Sequence, residues 1–137
     1  MATVLVIEDN PANMKLASML LTTAGHSVLA AYDAESGLSL ARGQHPDLIL
    51  MDIQLPGMDG LAATAILKKA PETASIPVVA LSALAMKADQ ERSESAGCDD
   101  FIVKPLRYKE LYAVVERLLP QSLPDAGETS RPGQTAT

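Results

Sequence analysis

The stretch Asp47-Leu48-Ile49-Leu50-Met51-Asp52 decides the fold class, because it places four consecutive apolar side chains between two acids. A strand with one solvated face alternates apolar and polar residues, whereas a strand covered on both faces is a continuous apolar run. Four other short apolar runs recur along the chain, and most of them are also continuous: residues 4–7, 28–31, 78–81 and 101–103. This pattern predicts a parallel sheet that is covered on both faces.

Segments with helical periodicity lie between these runs. Apolar residues spaced three and four apart predict amphipathic helices over residues 14–24 and, more regularly, over residues 111–119. Asn10 and Pro11 suit the start of the first helix, and Gly25 suits its end. Strand and helix therefore alternate five times, which predicts an α/β fold of the (βα)5 type. We expect a flavodoxin-like, doubly wound, five-stranded parallel sheet with strand order 2-1-3-4-5.

Length and composition indicate one folded domain. The chain has 137 residues, of which 47% are hydrophobic and 20% charged, and its net charge is −6. Without a basic run, this charge argues against direct nucleic-acid binding. There is neither a signal peptide nor an apolar stretch of membrane-spanning length, and the single Cys98 cannot form an internal disulfide, so we expect a cytoplasmic protein without membrane association. Residues 1–120 should form the domain and residues 121–137, rich in Pro, Gly, Ser and Thr, a flexible tail.

Polar residues follow the predicted strands at one edge of the sheet. Glu8 and Asp9 follow the first apolar run, Asp52 ends the third, Ser82 follows the fourth and Lys104 follows the fifth. Ligands of open α/β sheets bind at this carboxyl edge. Three carboxylates that converge there repel one another, and a hard divalent cation such as Mg²⁺ compensates for the repulsion. A metal, an ammonium group and a hydroxyl around one carboxylate are suited to phosphoryl transfer that forms an acyl phosphate.

Four segments together resemble the receiver domains of two-component response regulators: residues 6–10 (VIEDN), 47–60 (DLILMDIQLPGMDG), 80–83 (ALSA) and 101–105 (FIVKP). The resemblance covers about residues 3–119. The motifs at residues 13–16 (NMKL) and 85–87 (AMK) are similar to those of stand-alone receivers of the DivK type.

The resemblance implies a metal-assisted phospho-acceptor. Asp52 would accept the phosphoryl group from a histidine. Asp9, Asp52 and the main-chain carbonyl of Gln54 would bind Mg²⁺ directly, with Mn²⁺ as an alternative cation. Glu8 would act through a metal-bound water.

The resemblance also implies a phosphate-sensing switch. Lys104 would hold one phosphoryl oxygen, and Ser82 with the amide of Ala83 would move towards another. Phe101 would turn inward as Ser82 moves. The peptide bond between Lys104 and Pro105 is usually cis in this family.

The family reads phosphorylation through a surface of helix four, strand five and helix five. Candidate residues of that partner face are Ala85, Met86, Arg107, Tyr108 and Tyr112. The implied partners are a sensor histidine kinase or a histidine phosphotransfer protein, and a downstream target protein; a homodimer is left open. The protein would be no enzyme beyond assisting its own phosphorylation and dephosphorylation.

Other functions remain as alternatives. The chain could be a receiver module of a hybrid histidine kinase, although Met1 directly before the first strand favours a stand-alone protein. A phosphatase of the haloacid dehalogenase type shares the aspartate chemistry, but it needs a second Asp where this chain has Gln54, and its nucleophile follows the first strand. A flavodoxin is disfavoured because the acidic loop after the first strand would repel a flavin phosphate.

Overall fold

Five parallel strands form one sheet in the computed structural model, which describes residues 2–83 and 87–119. The strand order is β2-β1-β3-β4-β5 and every neighbouring pair is parallel, which confirms the predicted topology. The strands are β1 (Thr3–Ile7), β2 (Ser27–Ala31), β3 (Leu48–Asp52), β4 (Val78–Ser82) and β5 (Asp100–Val103). Every residue of β3 and β4 is buried, as their continuous apolar sequences require.

A helix follows each strand. The helices are α1 (Pro11–Thr23), α2 (Ala34–Gln44), α3 (Gly60–Lys69), α4 (Lys87–Ala96) and α5 (Tyr108–Leu118). The side chains of Asn10, Asp33 and Asp59 accept hydrogen bonds from main-chain N–H groups in the first turns of α1, α2 and α3. These caps satisfy donors that have no partner within the helix, so the local sequence defines where the three helices begin.

The core has two layers because successive side chains of a strand point to opposite faces of the sheet. Val4 and Val6 of β1 pack in the layer that includes α1 and α5. Leu5 and Ile7 pack in the layer that includes α2 and α3. The sheet is thus covered on both faces, and its carboxyl edge is where polar groups can gather.

Some expectations concern residues outside the described part of the chain. Ala85, Met86 and the expected tail over residues 121–137 lie there, as does Pro120. Within residues 2–83 and 87–119, no helix combines the length and apolar character needed to cross a membrane.

Candidate functional site

Three carboxylates converge at the carboxyl edge of the sheet. One side-chain oxygen each of Glu8, Asp9 and Asp52 lies within 4.8 Å of the others. Glu8 and Asp52 are almost completely buried, with exposed fractions of 2% and 1%, whereas Asp9 is exposed. The convergence arises because β1 and β3 are hydrogen-bonded neighbours whose ends lie at the same level, with Ile7 opposite Met51.

Lys104 brings a positive charge into this cluster from the end of β5. Its Nζ lies 2.9 Å from Glu8 Oε1 and 3.0 Å from Asp52 Oδ2. The ammonium group therefore bridges the two buried carboxylates and leaves one excess negative charge among the three groups. Such buried ion pairs are far less screened by solvent than surface pairs.

The shared environment shifts the pKa of both Glu8 and Lys104. Burial raises the pKa of Glu8, and the nearby Asp52 adds to this, while hydrogen bonds from Lys104 and the Asn10 amide act against it. Burial alone would lower the pKa of Lys104, but the hydrogen bonds and charges of Glu8 and Asp52 outweigh burial and raise it. Lys104 is consequently a permanent cation at neutral pH.

Gln54 contacts the site through both its main chain and its side chain. Its main-chain N–H donates to Asp52 Oδ1 at 2.9 Å. Its side-chain Oε1 accepts a hydrogen bond from the Ala83 amide at 3.3 Å. With Lys104 on Oδ2, each oxygen of the Asp52 carboxylate has a hydrogen-bond donor, and the loop after β3 is connected to the loop after β4.

The loop after Asp52 returns closely against the main chain of that residue. A Cβ on Gly60 would lie 2.1 Å from the Asp52 carbonyl oxygen, so no side chain fits there without movement. Gly57, at the loop turn, has a φ of +77°, which favours glycine. This loop geometry keeps the start of α3 directly beside the acidic cluster.

Ser82 lies on β4, the neighbour of β3, and Phe101 lies on β5, the edge strand beyond β4. Ser82 is fully buried at the end of β4 and pairs in register with Val103 of β5. Phe101 is half-buried and packs against the buried cluster of Ile53, Leu61 and Ala80. The peptide bond after Lys104 is cis at Pro105.

The expected partner residues Arg107, Tyr108 and Tyr112, at the start of α5, differ in how far they are exposed. Tyr108 is 55% exposed, and its ring meets that of Tyr112 edge to face at 6.0 Å. The Tyr112 hydroxyl donates to the Leu20 carbonyl of α1 at 2.8 Å, so it takes part in packing between α1 and α5. Arg107 is exposed directly before α5.

The acidic cluster suits a hard divalent cation. Carboxylate oxygens are the ligands that Mg²⁺ prefers in proteins. With Asp9 included, the cluster holds two more negative charges than Lys104 neutralises. The donor set and the charge therefore both fit one Mg²⁺ ion.

The family model of the response regulator receiver domain matches residues 4–116 of the chain. These residues form the flavodoxin-like sheet and carry the acidic cluster and the bridging lysine. The chain belongs to this family. It is 42% identical over 116 residues to the polar-differentiation response regulator DivK of Brucella ovis, a match that covers 85% of this chain and 94% of the relative. The receiver is accordingly a signalling phospho-acceptor of two-component systems rather than a true enzyme, which excludes the phosphatase and flavodoxin alternatives.

Solved receiver structures show the same fold. The receiver domain of a sensor histidine kinase from Pseudomonas aeruginosa, which has a magnesium ion coordinated in its active-site cleft, is 32% identical with a TM-score of 0.80; the match covers 85% of this chain and 96% of that one. The signal receiver domain of a signal transduction histidine kinase from Syntrophus aciditrophicus is 31% identical with a TM-score of 0.82, covering 94% and 98% of the two chains.

Several contacts of the receiver site could not be foreseen from the sequence motifs. The direct ion pair between Lys104 and Glu8 joins residues 96 positions apart. The bond from Ala83 to the Gln54 side chain and an ion pair at 3.8 Å between Arg92 of α4 and Asp59 are further examples. Only the register of the strands and the packing of the helices bring these residues together.

Proposed function

We propose that Asp52 is the phospho-acceptor of this receiver and that phosphorylation switches the surface formed by α4, β5 and α5. The observation that carries this proposal is the bridge of Lys104 between Asp52 and Glu8 inside the acidic cluster. It combines a buried carboxylate nucleophile with a fixed cation, and phosphoryl transfer depends mainly on positioning and on charge neutralisation.

Asp52 is the best acceptor among the three carboxylates. Glu8 is as buried as Asp52 and both its oxygens are likewise engaged, by Lys104 and by the Asn10 amide, so position in the sheet rather than burial distinguishes the two. Asp9 is exposed and lies at the rim of the cluster. Asp52 stands at the end of the central strand β3, where the Gln54 amide that follows β3 and the Lys104 ammonium that follows β5 each donate to one of its oxygens.

The reaction would be a displacement at phosphorus. A carboxylate oxygen of Asp52 forms the new P–O bond, the bond between phosphorus and the histidine ring nitrogen of the donor breaks, and its electron pair stays on that nitrogen. Lys104 neutralises charge on the transferred group, and Ser82 with the Ala83 amide supplies further donors. Later hydrolysis returns Asp52 to the carboxylate and releases inorganic phosphate.

Mg²⁺ is the cofactor of this site, and it supplies neutralisation of the developing phosphoryl charge when bound. Asp9, Asp52 and the main-chain carbonyl of Gln54 would hold it directly, with Glu8 acting through a water. The relative from Pseudomonas aeruginosa with magnesium in its cleft supports this assignment.

A histidine kinase is the partner that the receiver family implies. We further propose that the donor is a sensor kinase or a histidine phosphotransfer protein, that the phosphorylated form binds a target protein, and that the protein works in the cytoplasm. Arg107 and Tyr108 are exposed where such a target would bind. The similarity to DivK favours a response regulator over a module of a hybrid histidine kinase.

Intact-protein mass spectrometry with acetyl phosphate tests the acceptor. The protein should gain the mass of one phosphoryl group with Mg²⁺, and no such gain should occur with EDTA or in Asp52→Asn. Asp33→Asn is a matched control, because Asp33 caps α2 and Asn is an equally good cap. This variant should be phosphorylated like the parent.

A phosphorylated histidine kinase replaces acetyl phosphate as the donor if the small molecule fails. An adduct that persists in Asp52→Asn would contradict the assignment of the acceptor. Absence of any adduct with both donors would contradict phosphoryl acceptance by this chain.

A further inference from the structure

The Gln54 side chain connects the ends of two neighbouring strands in a way that phosphorylation should disturb. We propose that Gln54 acts as a latch: its side-chain carbonyl occupies the Ala83 N–H in the unphosphorylated protein and releases it when Asp52 carries a phosphoryl group. The latch deepens the function proposed above and rests on it for the release step. Gln54 would be a positioning residue that acts through Ala83.

The geometry of the two strands explains why a glutamine can make this connection. Gln54 is held at a fixed position because its own N–H donates to Asp52 Oδ1 at 2.9 Å. Asp52 pairs in register with Leu81, so Ala83, just after β4, and Gln54, just after β3, each lie two residues beyond this pair. The side chain then reaches the Ala83 amide at 3.3 Å.

The hydrogen bond between the Ala83 N–H and the Gln54 side chain is weak enough for a stronger acceptor to replace it. Gln54 and Ala83 are both exposed, so packing does not enforce the contact. A hydrogen bond of 3.3 Å between neutral groups is slightly longer than the usual N–H···O distance. Phosphoryl oxygens are charged acceptors, and hydrogen bonds to charged groups are roughly twice as strong as neutral ones. A phosphoryl group on Asp52 would therefore compete successfully for the Ala83 N–H.

A second polar contact of the loop after β3 reaches α4 itself. Arg92 of α4 lies 3.8 Å from Asp59, at the end of the loop that Gln54 begins, and 3.1 Å from Asp89. The Arg92 and Asp59 side chains are 58% and 50% exposed, and such surface pairs are weak. Once Ala83 is released, the loop after β3 keeps this weak pair with α4 but no longer holds the residue that follows β4. The latch thus links the state of Asp52 to the chain that leads from β4 towards α4.

Amide hydrogen exchange at Ala83 tests the latch in the unphosphorylated protein. In EDTA and without a phosphodonor, Gln54→Ala should accelerate exchange of the Ala83 amide by roughly 2- to 10-fold, the effect of losing one hydrogen bond. Gln44→Ala makes the same replacement at an exposed position at the end of α2 and should leave Ala83 unchanged. Gln54→Glu keeps a carbonyl-type acceptor and should preserve the slow exchange.

The amide of Leu50, in the buried strand β3, separates a local effect from general destabilisation. Its exchange should be equal in the parent and in all three variants. Equal Ala83 exchange in the parent and in Gln54→Ala would overturn the latch. Faster exchange at both Ala83 and Leu50 would also overturn it, since Gln54 would then act on stability as a whole.

Phosphorylation then tests the release. In the phosphorylated protein the exchange of Ala83 should no longer depend on residue 54, and a persistent difference between the parent and Gln54→Ala would overturn the release step. A chain that takes no phosphoryl group from any donor would overturn the proposed function and the release, whereas the exchange measured in EDTA still decides whether the Gln54 contact exists. The two failures are therefore distinguishable.

Discussion

Replacement of Lys104 by methionine removes the cation between Glu8 and Asp52 but keeps an apolar side chain of similar length. The Lys104 side chain is 14% exposed and its two partners are 2% exposed, so the variant leaves two buried carboxylates without their shared counter-ion. Loss of one partner from a buried pair typically costs about 3–5 kcal/mol. We expect Lys104→Met to lower the free energy of unfolding by that amount in EDTA at pH 7.5.

The loss should depend on pH and on Mg²⁺. Burial already raises the pKa of Glu8 in the parent, and the variant lacks the Lys104 hydrogen bond that acts against this. The native state then binds a proton more tightly than the unfolded state, so the stability of the variant falls as pH rises above the ordinary glutamate value and recovers towards pH 5. Mg²⁺ should stabilise the variant more than the parent, because it enters a more negative site; binding at 100 times Kd contributes about 2.7 kcal/mol.

Urea unfolding followed by far-ultraviolet circular dichroism measures these effects, since the chain has no Trp for fluorescence. Lys15→Met, at an exposed position of α1, is the control and should change the unfolding free energy by less than about 0.5 kcal/mol. Combining Lys104→Met with Asp52→Asn should restore part of the stability, because the double variant again has only one uncompensated carboxylate.

Two results would refute the reasoning. A loss below about 1 kcal/mol in EDTA would mean that the pair is solvated and behaves like a surface ion pair. An equal gain from Mg²⁺ in the variant and the parent would mean that Lys104 and the metal do not share one electrostatic site.

Three further predictions concern the packing around the site and the helices. Gly60→Ala should lower the thermal midpoint of unfolding, because overpacking costs about 1–3 kcal/mol of stability. Gly43→Ala lies in α2 with open space around the new methyl group and should raise the stability by about 0.5–1 kcal/mol. Burial raises the pKa of the Cys98 thiol to about 11, so at pH 8 its reaction with Ellman's reagent should be roughly 100-fold slower than in urea and should accelerate as pH rises. Tyr112→Phe should cost about 1 kcal/mol in urea unfolding through the lost bond to α1, whereas exposed Tyr108→Phe should be neutral.

Local signals in the sequence predicted the strands and most of the sheet edge. The continuous apolar run of β3 required burial on both faces, and parallel strands necessarily end at one edge, so Glu8, Asp9 and Asp52 could be placed together before any contact was known. Asn10 before Pro11 defined the start of α1 because a cap acts within one helical turn.

Helix α4 shows where periodicity provides no information. Ser93 is its only buried residue, so its sequence contains no apolar stripe and only the alternation of strands and helices implied a helix there. Contacts between distant residues were also beyond prediction, because they depend on strand register and on side-chain conformation. Tyr112 illustrates this: its hydroxyl bonds to α1, although its position in the sequence suggested the partner face.

The polar character of α4 also bears on how a receiver can switch. α5 buries Leu111, Val114 and Val115 in the core and is anchored by the hydrophobic effect, so moving it would expose a large apolar area. α4 buries no large apolar side chain and contributes only Ala96 to a small apolar cluster, and its described polar contacts, such as Arg92 with Asp59, are individually weak. A shift of a two-state equilibrium from 1:99 to 99:1 requires about 5.5 kcal/mol of differential binding. A few charge-assisted hydrogen bonds to a phosphoryl group on Asp52 approach that amount, at about 1.5–3 kcal/mol each. We therefore expect phosphorylation of Asp52 to reposition α4, which is held by weak contacts, rather than α5, whose movement would also expose three buried apolar side chains.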